Sequence, residues 1–145
     1  MKNLKEKILK QIKEIKRSHT EWYAHAEAII SGHRTLIKIP RSYTDCKVGK
    51  WLYGEGYFLS YCETFKEIEE IHIRTHEIYL SIYKQNIVKK NFFKRKALVK
   101  ATSKTELTEL KGFSDLLIEK FDHLAKMIEK ENPNKLKSEY EKFQS

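Results

Sequence analysis

His72 and His76 lie four residues apart in ETFKEIEEIHIRTHEIY. On a helix that spacing stacks two imidazoles on one face, one turn apart, as a shared metal requires. His19 sits among apolar residues in an earlier segment. Cys46 opens the string CKVGKWLYGEG between the two. Three imidazoles and one thiolate would fill a tetrahedral shell, and that donor set suits zinc better than magnesium or calcium. Each fragment has a plainer reading. A histidine pair at helical spacing arises by chance, and a lone core histidine is commonly satisfied by a hydrogen bond.

The elements that would carry these residues show in the apolar spacing. From Asn3 to Ser31 the stripe runs Leu4, Ile8, Ile12, Ile15, His19, Trp22, Ala26 and Ile29, in steps of three and four. This predicts a helix with His19 facing the core. Gly32 is its expected stop, and Pro40 keeps the following connector out of helix. Asp45 is the expected N-cap of a short helix over CKVGKWLY, closed by Gly54 and Gly56. A second long helix is expected from about Tyr57 to Val88, with Tyr61, Phe65, Ile68, His72, Thr75, Tyr79 and Ile82 inward. A third, about 91–132, carries Leu107, Leu110, Phe113, Leu117, Phe121, Leu124 and Ile128. Thr102-Ser103 is a possible break in it, and residues 133–145 a short helix or frayed tail. The fold class is all-α: a four-helix-bundle-like single domain over 1–145, with three long helices, one short helix bearing the cysteine and a C-terminal helix or tail.

Composition narrows the function. The chain has 145 residues, 29 Lys+Arg against 20 Asp+Glu, two cysteines and only two prolines. That is enough chain for one core without disulfides. The lysine-bearing start lacks the apolar stretch of a secretory signal, and no run is long enough to span a membrane, so a soluble cytoplasmic domain is expected. Between Ile78 and Thr105 there are eight Lys/Arg and no carboxylate. Such a surplus raises nucleic acid or an anionic membrane as partners. VKKNFFKRKALVK, with Phe92 and Phe93, belongs to no nucleic-acid-binding motif, so a solvated helix face is preferred and nucleic acid is not expected. His25, His33 and His123 read as surface or hydrogen-bonded residues. Cys62 reads as a small buried apolar one on the second long helix.

His19-x2-Trp22, then Cys46-x2-Gly49-x-Trp51, then His72-x3-His76, taken in that order over about residues 15–83, resemble the chemoreceptor zinc-binding (CZB) domain family. The resemblance implies a helical bundle with one Zn²⁺ held by His19, Cys46, His72 and His76. It implies a sensory role in bacterial signalling, answering zinc or oxidants such as hypochlorous acid. It also implies pairing into a homodimer. Trp22 and Trp51 are expected to wall the site from water, and Gly49 to let the short element approach a long helix. Receptor and cyclase regions are missing from this sequence, so the output is expected to pass through a signalling partner. The roughly 15 residues before His19, about 22 Å as helix, are a handle for one.

Four protein ligands leave no open position for water, so an enzyme is not expected. No nucleophile–base pair or phosphate loop argues otherwise. A scaffold or interaction protein with a purely structural zinc is the alternative. A di-iron site would need bridging carboxylates. Glu69, Glu70 and Glu77 are available, but a second histidine set is missing.

Overall fold

The structure is a computed structural model, and it describes residues 3–30, 42–83 and 94–144, without the side chains of 29, 30 and 94–103. Gly32, His33, Pro40, Phe92, Phe93 and the expected helix limits at Val88 and Asn91 lie outside these residues. Five α-helices and one 3-10 turn make up the described chain: α1 Leu4–Ile30, α2 Lys47–Leu52, the turn Tyr57–Tyr61, α3 Glu63–Tyr83, α4 Lys94–Lys130 and α5 Pro133–Gln144. The all-α, bundle-like expectation is met.

α1 begins where Asn3 caps it, its Oδ1 accepting from the Lys5 backbone N–H at 3.0 Å. Its three-four stripe is the buried face: Ile8, Ile12, Ile15, His19, Trp22 and Ala26 are all in the interior. α4 packs mainly on α3 and α1, while α2 lies on α1. Ion pairs of Lys16 with Asp122 and Lys120 with Glu67 bridge the same helices at the surface. The apolar core fills the end near the start of α1, where Ile8, Ile12, Trp51, Phe58, Phe65, Ile68, Phe121 and Leu124 meet.

Several local expectations are corrected. The N-cap of α2 is Cys46, not Asp45: its extended backbone (φ −78°, ψ 163°) and its sulfur, accepting from the Gly49 N–H, meet the cap requirement. The second long helix begins at Glu63. Tyr57–Tyr61 is a separate 3-10 turn, and Cys62 between them has extended backbone (φ −83°, ψ 133°). Cys62 therefore precedes α3 and does not lie on it, though it is buried as expected. α4 runs unbroken through Thr102-Ser103, about 55 Å at 1.5 Å per residue.

The C-terminal segment is the helix α5. Asn132 Oδ1 accepts from the Asn134 N–H at 2.8 Å, and Pro133 takes the first helical position, where its missing N–H costs nothing. α5 buries Leu136 and sets Tyr140 edge-on to Phe58, with ring centroids 5.2 Å apart. At the α4–α5 junction Lys5 Nζ donates to the carbonyls of Glu129 and Glu131, two of the acceptors a helix end leaves open.

Candidate metal centre

Cys46, His72 and His76 converge in the interior, each buried, with one ligand atom apiece within 4.8 Å of the others. α3 supplies the two histidines on its inward face. Their rings are 4.7 Å apart and nearly perpendicular. The N-terminus of α2 supplies the sulfur. Cys46 Sγ lies 3.1 Å from His72 Nε2, close to the spacing of about 3.3–3.6 Å between ligands of a tetrahedral zinc. No carboxylate joins the group among the described residues. Glu77 pairs with Arg74 at the surface, and Glu70 is exposed.

Gly49 and the two tryptophans find different roles. A Cβ on Gly49 would stand 1.8 Å from the Tyr43 carbonyl oxygen, so the backbone it must admit is that of the preceding turn, not a long helix. This close approach lets the Gly49 N–H reach Cys46 Sγ at 3.3 Å. Trp22 is wedged between His19 and His76, with ring centroids 5.7 and 4.7 Å away, and walls that side of the cluster. Trp51 packs on Phe121 in the apolar core, and its indole N–H donates to Gln11 Oε1 at 3.0 Å.

His19 stands beside the cluster but outside the 4.8 Å group. Its Nε2 is 2.8 Å from Ser114 Oγ, and both residues are buried, at 2% and 5% exposure. The electrostatics still link it to the others, since His19 and His76 each disfavour a charge on His72. Ser114, the buried partner of His19, is a residue that sequence reasoning missed. The buried stripe of α4 reads Leu110, Ser114, Leu117, Phe121, Leu124, Ile128, in steps of four and three. Strict spacing selects Ser114; preference for a large apolar residue selected Phe113, which is only half-buried.

Burial sets the protonation of these groups. It drives the His72 imidazolium down to about 2, helped by the neighbouring His76 and His19, and that of His19 to about 4, helped by His76. Burial pushes the Cys46 thiol up, against the opposing pull of the Gly49 and Val48 N–H groups. At neutral pH both imidazoles therefore keep a lone pair to donate, and the thiol keeps its proton. His72 Nδ1 is buried with no hydrogen-bond partner among the described residues. A core that gathers neutral nitrogen and sulfur donors in this way, at a desolvation cost, fits a thiophilic divalent cation. Cys46, His72 and His76 are the residues placed to hold it.

Of the other histidines, His25 is half-buried and His123 exposed. No helix among the described residues is long and apolar enough to cross a membrane. The family model described as the chemoreceptor zinc-binding domain matches residues 4–83, from the start of α1 to the end of α3. No curated protein and no solved structure matches the chain.

Proposed function

Because the chain belongs to the chemoreceptor zinc-binding domain family, whose model covers more than half of it, we propose that it is a zinc-binding sensory module. In this reading one Zn²⁺ is held by Cys46, His72, His76 and His19, and its presence is read by a signalling partner. The observation that carries the proposal is the buried convergence of Cys46, His72 and His76 within 4.8 Å. A zinc bound there would stabilise the Cys46 thiolate and tie α2 to α3.

The chain's own residues then act as follows. His72, held neutral by burial, offers its nitrogen without first losing a proton, His76 adds a second imidazole one turn along α3, and Cys46 gives up its proton when metal enters. Trp22 keeps water from the histidines. A Cys46 thiolate that attacks hypochlorous acid ends with an S–O bond in place of the oxidant's O–Cl bond; the sulfur, as sulfenic acid, is oxidised by two electrons and the chlorine leaves reduced as chloride. That sulfur is a poorer donor, so the hold on metal weakens and the tie between α2 and α3 loosens. Either metal level or oxidant is thereby registered as a change in the bundle. The protein is read as cytoplasmic, as a homodimer and as a non-enzyme.

Elemental analysis of protein purified without added metal tests the reading. One zinc per chain, lost in His72→Ala, is expected; a metal-free parent contradicts it. The burial of all three donors favours a second reading, in which zinc is purely structural and leaves slowly. Hypochlorite titration separates the two. Rapid zinc release from the parent but not from Cys46→Ala refolded with zinc supports the sensor, and equal release from both contradicts it.

A further inference from the structure

Resting on the reading that His19 is the fourth ligand, we propose that Ser114 is the positioning residue of the metal centre: its hydroxyl accepts the Nε2–H of His19, leaving Nδ1 as the nitrogen that this ring offers to the metal. The geometry behind it is the 2.8 Å separation of His19 Nε2 from Ser114 Oγ, in a place closed to water. A metal-ligating imidazole uses one nitrogen as donor and keeps its proton on the other. That N–H ordinarily finds an acceptor, which fixes the tautomer and the ring plane. A serine hydroxyl has lone pairs for this role.

Ser114 is buried on a face of α4 that is otherwise apolar. It interrupts a stripe of Leu, Phe and Ile at a position where an apolar side chain would pack without needing a partner. The buried polar residues of the described core are His19, His72, Thr75, His76 and Ser114. Thr75 is satisfied within its own helix, its Oγ1 donating to the Ile71 carbonyl at 2.8 Å. The remaining four are three histidines of the centre and the serine that holds one of them. Ser114 also lies beyond residue 83, outside the span that the family model matches. Its hydrogen bond ties α4 to a centre otherwise built from α1, α2 and α3. A ring gripped by α4 through one nitrogen and by metal through the other couples metal occupancy to the α1–α4 contact.

Histidine-selective ¹⁵N labelling of the zinc-loaded full chain, read by long-range ¹H–¹⁵N correlation, tests the assignment. The expected spectrum shows His19 protonated at Nε2 and metal-shifted at Nδ1; a proton on Nδ1 with metal at Nε2 overturns it. Chelator competition gives the second readout. Ser114→Ala should bind zinc about 10–100-fold more weakly, as loss of such a partner does, with affinity largely restored in Ser114→Thr. An unchanged affinity in Ser114→Ala overturns the proposal while leaving the zinc-sensor reading intact. If Ser114→Ala does not fold, the tautomer in the parent decides alone. A parent that takes up no zinc overturns both, which separates that failure from the others.

Discussion

Near the start of α1 the long helices meet through Ile8, Ile12, Phe65, Ile68, Phe121 and Leu124; one or two turns further along α1 and α3 they meet through His19, His72, His76 and Ser114. The backbone geometry is continuous between the two regions, and the three-four stripes of α1, α3 and α4 run through both. Only the residue types change. The apolar region stabilises itself, because every methylene removed from water helps and none needs a particular partner. The polar region is costlier, because a buried nitrogen or sulfur gives up its hydration and needs a particular partner in return, which His72 Nδ1 lacks among the described residues. The comparison teaches that the apolar end secures the fold and the polar belt spends part of that stability to keep a site ready.

The contrast can be broken by four variations, from the largest expected effect downward. Phe121→Ala, in the apolar region, should destabilise by about 3–5 kcal/mol in urea denaturation, equally with and without zinc. A zinc-dependent cost would mean that the two regions are not separate. His72→Leu should act with opposite signs in the two states. The metal-free protein should be about 1 kcal/mol more stable, since the unpartnered buried Nδ1 is removed while Cys46 Sγ, losing its contact with His72 Nε2, still accepts from the Gly49 N–H. The zinc-loaded protein should lose the roughly 4 kcal/mol that a metal at a thousandfold excess over its dissociation constant supplies. A metal-free protein strongly destabilised by this change would show that His72 is an ordinary structural residue.

Acid should act on the polar belt before the apolar core. His19 and His72 have folded-state pKa values of about 4 and about 2, below the 6.5 of an unfolded imidazole. As pH falls below 6.5 the unfolded chain takes up protons that the folded one refuses, so stability falls with it. The metal-free protein should show a lower urea midpoint at pH 5 than at pH 7, and His72→Leu a smaller drop. Smallest is the exposed Lys111–Asp115 pair, 3.3 Å apart one turn along α4. Lys111→Ala should change stability by under about 0.5 kcal/mol, detected as a shift of the urea midpoint within error.

Much of this was legible in the sequence because apolar spacing reports burial directly. His19 falls on the α1 stripe by number alone, and His72 and His76 share a face by the same rule. What the sequence concealed had physical reasons. Ser114 carries no apolar signal, and its burial shows only when the four-three spacing is followed past the bulkier Phe113. The cap of α2 passed to Cys46 because sulfur can accept an N–H where a carboxylate was expected. The turn Tyr57–Tyr61 kept helical apolar spacing, which hid its tighter winding and the extended Cys62. Thr102-Ser103 did not break α4, since two weak helix formers cost less than a helix of that length recovers. That His19 faces Ser114 is a tertiary fact between residues 95 apart in sequence, and spacing within one helix cannot express it.

The central claim is that three imidazoles and one thiolate of this chain close around a single zinc. X-ray absorption at the zinc edge of the loaded protein tests it most directly. The account predicts three nitrogen neighbours at about 2.0–2.1 Å and one sulfur at about 2.3 Å. A shell of oxygen and nitrogen without sulfur would contradict it.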